Sequence, residues 1–536
     1  MPGMTSSATE TLDDPRAVYL REATKLEPLV DGWYAWPHLL SPAQQAMNLA
    51  FRYLPMIRSF VANPDVHASA AKDPLMFGGP FVDLPKSAVE IVGRWLSSLR
   101  SDRAEAIQFA HSLRQFDADL VASATGGSMN ELRRQLPDVL DGRVDLVYDL
   151  HHRPSIRCLE EAFAFDDMGH RRSQSLFLHQ LLDRERPFFL STPRVGWANS
   201  SRLDCAFDSD RAYEIAAART SPIDLREFSR AVGAAFEDLI PFFTNERPAC
   251  GTRYVGNGMR IRHFGHACLL FESRQTNILV DPSATFDRGD GQFSFGDLPE
   301  KIDLLILSHG HQDHFSPELL IQLRSRVVKA VVPPSNRGAI ADPSLARMLE
   351  KMGYQNVQTL DPLDSISLVD GRIVALPFTG EHCELDIHAK QCFTIELAGH
   401  KACILIDTDA VDPRLYRRIA PLLADVEAVF IGMECYGAPL SWLYGPLLSR
   451  PPSKQDDESR RLSGADCERA WGLIEVMQPR LAFVYALGQE PWMRHLMGPS
   501  FDENSIQLVE SRAFIARCRD TGIQAEILNG GHETIL

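Results

Sequence analysis

The sequence predicts an α/β protein with a separate N-terminal α+β domain, and three observations predict it. A short run of apolar, β-compatible residues, IDLLILS at 302–308, ends in the polar loop HGHQDH at 309–314, which enters a capped helix start. Strand, loop and helix in that order build α/β folds, which commonly place their chemistry at the strand's C-terminal end. Upstream, NERPACGTRYVGNG at 245–258 carries proline, asparagine and three glycines with no helical period, as a linker does. Before that linker, helix-like and strand-like segments alternate without an internal repeat.

Taken in order, the N-terminal domain spans residues 1–250. Its helical candidates are SAVEIVGRWLSSLR at 87–100 and REFSRAVGAAFEDLIPFF at 226–243; its strand candidates are VDLVYDL at 144–150 and PFFLSTPRV at 187–195. The second domain spans 258–536. It opens with MRIRHFGHACLLFESRQTNILVDP at 259–282, read as strand, strand, polar turn and strand, ending at Asp281. The buried strand 302–308 and the histidine loop follow. Ser316, Pro317 and Glu318 then supply a capping hydroxyl, proline at the first helical position and an acid in the first turn.

Composition narrows the function classes. The chain has 536 residues, 45% of them hydrophobic, enough for two buried cores. With 55 basic and 71 acidic side chains its formal charge is −16, so we expect no nucleic-acid partner. No stretch approaches the roughly 20 uninterrupted apolar residues of a membrane span, and MPGMTSSATETLDD lacks the regions of a secretory signal. The expected location is cytoplasmic, with no membrane partner. Ten cysteines without a CxxC pair suit reduced thiols better than disulfides or a thiolate zinc cluster.

The histidine loop carries the chemistry. His309 and His311 are two apart, so in extended backbone both imidazoles point to one side and can share a metal. Asp313 and His314 follow where the chain turns into the helix and can serve a second metal beside the first.

HGHQDH, preceded by GHACLLFE and ILVDP, resembles the metallo-β-lactamase fold, an αββα sandwich carrying a dinuclear site. The resemblance covers roughly residues 258–536 and implies further ligands on later loops. FTGEHCELD at 378–386 offers Glu381 and His382; KACILIDTDA at 401–410 offers Asp407 and Asp409; NGGHETIL offers His532. Periodicity cannot separate Asp407 from Asp409. The family's bridging aspartate precedes a threonine, which favours Asp407, and a zinc hydrolase of this fold would use His382.

A different branch is more similar. The long N-terminal domain opening with LEPLVDGWYAWPHLLSPAQQ and MFGGPFVDL, and GEH at the third-ligand position, resemble the oxygen-activating di-iron β-hydroxylases of nonribosomal peptide biosynthesis. That resemblance implies Glu381 as a ligand, with His382 as its neighbour. It implies metal ligands His309, His311, Asp313, His314, Glu381 and Asp407, the last two also catalytic, around two iron ions that use O2 and an external electron donor. The implied reaction is monooxygenation at the β-carbon of an aromatic amino acid, L-p-aminophenylalanine, held as a thioester on a thiolation (carrier) domain in chloramphenicol-type antibiotic biosynthesis. By the same analogy the N-terminal domain serves docking and homodimer contacts. Three imidazoles and three carboxylates make a hard, anionic set that leans toward iron, while zinc offers no redox chemistry. The rivals are a dinuclear zinc hydrolase acting on an ester, thioester or phosphodiester, and a noncatalytic carrier-docking protein with a structural metal.

Asp281 could orient a ligating imidazole or be turn chemistry alone. His266 and Cys383 read as packing or solvent-exposed residues, and the His151–His152 pair as non-metal. The charged stretch 449–461 reads as a solvated loop or a mobile lid. FVYALGQEPWMRHLMG at 483–498 reads as a pocket lining or as core.

Overall fold

The computed structural model describes residues 12–165, 170–289 and 291–536; the opening segment read above lies, through residue 11, outside them. Side-chain alternation sets the architecture of the second half. Along Cys268–Glu272, Asn277–Val280 and Leu304–Ile306, the residues Leu269, Phe271, Ile278, Val280 and Ile306 face one way into one core. Leu270, Leu279 and Leu305 face the other way into a second core. A strand apolar on both faces must be covered on both. Each of these side chains is fully buried, contributing about 1.5–3 kcal/mol.

Two seven-stranded sheets meet this demand. The first runs, in order, Val357–Thr359, Ala330–Val332, Leu304–Ile306, Asn277–Val280, Cys268–Glu272, Arg260–Gly265 and His532–Ile535. Its first four strands are parallel. The second runs Ser365–Leu368, Gly371–Leu376, Cys392–Leu397, His400–Ile404, Ala428–Gly432, Leu481–Tyr485 and Gln524–Ile527. Helices Cys467–Met477 and Ile506–Asp520 complete the second sheet's core with Leu473, Ile474, Phe514 and Ile515. This is the αββα sandwich. Among the described residues no helix is long and apolar enough to cross a membrane.

The N-terminal half has its own four-stranded antiparallel sheet, Trp33–Tyr34, Lys25–Val30, Gln174–His179 and Ser201–Leu203. It does not keep its core to itself. Trp33, Trp36, Leu178 and Phe189 belong to the same apolar cluster as Leu270, Leu305, Phe315 and Leu319. The N-terminal half therefore covers the outer face of the first sheet, against the helix that follows the histidine loop. A buried charge network ties the two. Arg186 Nη2 lies 2.6 Å from Glu27 and 2.6 Å from Glu318, and Arg194 Nε lies 2.7 Å from Glu27.

Three local expectations change. PFFLSTPRV forms no strand: Pro187 and Pro193 lack amide donors, and the segment runs as buried coil with Phe189 N donating to His495 O. The helix expected over 226–243 stops at Val232, because Gly233 takes a left-handed φ of 68°; a short turn, Phe236–Leu239, follows. Residues 449–461 are no plain loop. They carry the helix Lys454–Ser459, capped by Ser453, and lead into the strand Leu462–Ser463.

Candidate metal centre

The strand Leu304–Ile306 delivers the histidine loop into the cleft edge, and the helix Pro317–Leu323 takes it away, with Ser316 Oγ accepting from Leu319 N. Between them His309, His311, Asp313 and His314 are all buried. Glu381–His382 arrives from the side, pairing antiparallel with Leu462–Ser463. Asp407 follows the strand His400–Ile404. The segments thus converge from both sheets.

Three overlapping groups have ligand atoms close enough to hold metal ions: His309, His311, Glu381 and His382; His266, Asp313 and His314; and His309, His314 and Asp407. The first two lie side by side and the third joins them. Asp407 Oδ2 sits 2.8 Å from His314 Nε2 and 3.9 Å from His309 Nε2, within reach of both histidines. His311 Nδ1 lies 2.9 Å from Glu381 Oε1, and His382 Nδ1 lies 2.6 Å from Glu381 Oε2.

Asp281 explains why the nitrogens point inward. Its carboxylate accepts Ser308 N at 2.7 Å and the Ser308 hydroxyl at 2.5 Å, and it accepts His314 Nδ1 at 2.9 Å. Ser308 Oγ, having given its proton to Asp281, accepts from His309 Nδ1 at 2.9 Å. Both imidazoles then carry the proton on Nδ1 and leave Nε2 bare for a metal. The Tyr444 hydroxyl, 3.1 Å from His311 Nε2, fixes the opposite orientation there, turning Nδ1 inward. Asp281→Asn is expected to weaken metal affinity about 10–100-fold while the protein stays folded, measured as metal retained against a chelator series; unchanged retention would reduce Asp281 to turn chemistry.

The fit to a metal is tested by the atoms themselves. His314 Nε2, Glu381 Oε2, His382 Nδ1 and Asp407 Oδ1 are buried without hydrogen-bond partners, although charged neighbours stand within contact range. Orphaned atoms that crowd one another yet form no hydrogen bond are aimed at a common third body. The set is imidazole and carboxylate with no thiolate, which suits iron. Gly432 leaves room for it: a Cβ there would stand 2.3 Å from Asp407 Oδ1.

The backbone is strained around the same atoms. Glu381, Cys383 and Glu384 have φ of 65°, 53° and 58°, and His266 and Asp281 have 46° and 42°. Each such residue costs on the order of 1–3 kcal/mol and clusters at functional sites. Gly380, with φ 69°, lies against the Asp409 carboxylate, which a Cβ would overlap. Asp409 accepts from Thr379 Oγ1 at 2.9 Å and stays out of the ligand groups.

Electrostatics follow from this crowding. Burial opposes ionisation of Glu381, but His311 and His382 outweigh it and hold the carboxyl well below its usual range. Burial raises Asp407. Burial, reinforced by His314 and His311, holds His309 well below the ordinary imidazole value.

Sequence reasoning missed four neighbours. His266 is buried, its Nε2 2.9 Å from Asp313 Oδ2, which corrects its reading as packing or solvent-exposed. His38, from the N-terminal half, and Tyr444 line a cavity of about 20 Å³ against His311 and His382, room for about one water. Glu434, half-buried after the strand Ala428–Gly432, has its carboxyl raised well above the usual range by burial and by Asp313, Asp407 and Glu381. An acid soon after a buried strand was the available signal for it. His532 lies elsewhere, its Nε2 2.9 Å from Thr534 Oγ1. Cys383 is buried and in no ligand group, and His151 and His152 are exposed. Along 483–498, Tyr485 is core and Trp492 covers Gly265.

Comparison with known proteins bears on the whole chain. Residues 19–247 match the family described as the diiron non-heme beta-hydroxylase N-terminal domain, and residues 260–405 match the beta-lactamase superfamily domain. A relative from Streptomyces venezuelae, 4-amino-L-phenylalanyl-[CmlP-peptidyl-carrier-protein] 3-hydroxylase, is 29% identical over 524 residues, covering 95% of this chain and 98% of that protein. The crystal structure of CmlA, a diiron beta-hydroxylase from Streptomyces venezuelae, superposes with a TM-score of 0.91 at 28% identity, covering 97% of this chain and all of that one. A mutant of CmlA gives 0.89 at 27% identity.

Proposed function

Because the chain belongs to the diiron β-hydroxylases, on a likeness that runs through both halves, we propose that it hydroxylates the β-carbon of an aromatic amino acid tethered as a thioester to a carrier domain. The observation that carries this reading is that likeness: it includes the N-terminal half, which a metallo-β-lactamase-fold hydrolase does not require. The amino acid we assign is L-p-aminophenylalanine, after the substrate in the relative's name.

In this assignment His309, His311 and Glu381 would hold one iron, Asp313 and His314 would hold the other, and Asp407, between the two groups, would serve both. The chemistry a bound iron pair supplies is activation of dioxygen, one oxygen atom entering the substrate and the other leaving as water, with two electrons from an external donor. The chain's own residues do the rest. Asp281 keeps His309 and His314 in the tautomer that presents Nε2. Tyr444 holds His311. Buried walls from Phe378, 5.6 Å from His309, and from the Trp36–His38 stack keep bulk water from the oxidising centre. The homodimer and the donor protein belong to this same reading.

The test is a single turnover. Iron-loaded protein, chemically reduced without air, is mixed with carrier bearing L-p-aminophenylalanine and then with ¹⁸O₂. The expected product is the aminoacyl carrier with one labelled oxygen at the β-carbon. Release of the amino acid from the carrier without oxygen or reductant would overturn the reading and favour the zinc hydrolase.

A further inference from the structure

A second cavity, of about 290 Å³, opens at the surface beside the small cavity at His311 and His382. The same elements line both. The helix Pro42–Asn48 gives Met47 to the outer cavity and Gln44 to the inner; the segment after the strand Glu381–His382 gives Leu385 outside and Ile387 inside; Leu447 lies outside and Tyr444 inside; Ala341 borders both. The outer cavity therefore lies next to the one at the metal centre, with Ala341 on the border of both.

Its mouth is marked by two arginines. Arg114 and Arg157 both line it, in a chain of formal charge −16. Neither has a carboxylate within ion-pair distance among the described residues. Arg114 spends one Nη2 donor on Pro446 O at 2.7 Å and rests on the Phe51 ring, while its buried Nε has no partner. Arg157 spends one Nη1 donor on Asn336 Oδ1 at 3.2 Å. Two acids also line the cavity. Asp386 is engaged by Asn336 Nδ2 and His388, and Asp117 lies one helical turn beyond Arg114. Two half-buried guanidinia with spare donors at an apolar mouth suit a phosphodiester followed by an apolar stem.

We infer that this cavity is the entry port for the carrier's phosphopantetheine arm, with its phosphodiester held by Arg114 and Arg157. The stem runs past Met47, Ile340, Leu385 and Leu447 to Ala341, and the thioester end faces His311 and His382. The carrier domain docks on the rim shared by the helix Ala104–Ser123 and the strand Pro154–Cys158, both in the N-terminal half. This inference rests on the carrier-tethered reading above and extends it to the chain's surface.

The test compares two small probes by calorimetry on the iron-loaded protein without oxygen: an aminoacyl amide of phosphopantetheine and the same amide of pantetheine, which lacks the phosphate. Wild type is expected to bind the phosphorylated probe at least about tenfold more tightly, equal to about 1.4 kcal/mol. In R114Q/R157Q that preference should fall to near one, with the weaker probe unaffected. Ser449→Trp, which narrows the rim without touching either arginine, should weaken both probes and guards against misfolding of the double variant. No phosphate preference in wild type, or a preference that survives in R114Q/R157Q, would overturn the port. Single-turnover hydroxylation of loaded carrier is read separately. Phosphate-dependent binding without hydroxylation would sink the proposed reaction and leave the port standing; hydroxylation without that dependence would do the reverse.

Discussion

Replacing Asp407 by alanine is expected to remove iron from the protein and reduce β-hydroxylation by more than the roughly 10–100-fold that loss of an outer partner of a ligand costs. Asp407 is the carboxylate that joins the group around His309 to the group around His314. Without it two bound dications would share no anion and would repel each other. The metal-free fold should tolerate the change, because burial already makes the Asp407 charge unfavourable there. Asp409→Ala is the control: it leaves the ligand groups intact and removes the contacts to Thr379, Gly380 and the Val411 amide. Iron per chain and product per reduced protein are the readouts. If Asp409→Ala lost iron while Asp407→Ala kept it, the bridging assignment would be reversed.

Much of this centre was legible because strand periodicity and local spacing carry it. Cys268–Glu272, Asn277–Val280 and Leu304–Ile306 follow their apolar runs, and Ser316, Pro317 and Glu318 cap the helix as their types dictate. The loop 309–314 brings its own ligands within six positions. What could not be read was whatever depends on distant chain. Asp281 is 33 residues from His314, and nothing local separates an imidazole acceptor from a turn aspartate. Asp407 and Asp409 share a period, and distant chain separates their surroundings: His314 and Gly432 lie against Asp407, Thr379 and Gly380 against Asp409. Residues 449–461 looked like solvated loop because they are charged. Yet Asp457 accepts from Ser441 N at 2.7 Å, Arg460 Nε donates to Cys383 O at 2.9 Å, and the next strand pairs with Glu381–His382. Charge there supports the strand Glu381–His382 from outside. His38 was invisible for the same reason, since it reaches the site only because the N-terminal half shares a core with the first sheet.

That shared core makes Glu27→Gln the substitution with the largest expected cost to stability, roughly 3–5 kcal/mol. Glu27 is fully buried, and its carboxylate meets both Arg186 and Arg194; the neutral amide would leave the buried Arg194 guanidinium without its anion and Arg186 with Glu318 and Asp183 alone. The pH dependence gives the effect a signature. Burial opposes the Glu27 charge, but Arg194 and Arg186 hold its carboxyl well below the ordinary 4.5. A depressed carboxyl contributes stability that is present above the unfolded value and lost as pH falls through the folded one. The wild-type advantage should therefore shrink below about pH 4.5, and the variant's acid limb should be shallower. Glu318 has the opposite sign. Burial, against the pull of Arg186 and with the push of Glu27, raises it to about 7, so its contribution is present below 4.5 and lost as pH rises through about 7. In the variant Glu27 no longer repels Glu318 and Arg186 turns wholly to it, so this alkaline loss should flatten too. Urea unfolding of metal-free protein from about pH 2 to 8 measures both limbs. Parallel wild-type and variant profiles, whatever their offset, would show that the network is packing and not charge. Because Glu318 lies in the first turn after the histidine loop, the same variant reports whether the N-terminal half holds that loop in place: iron retention should fall along with stability.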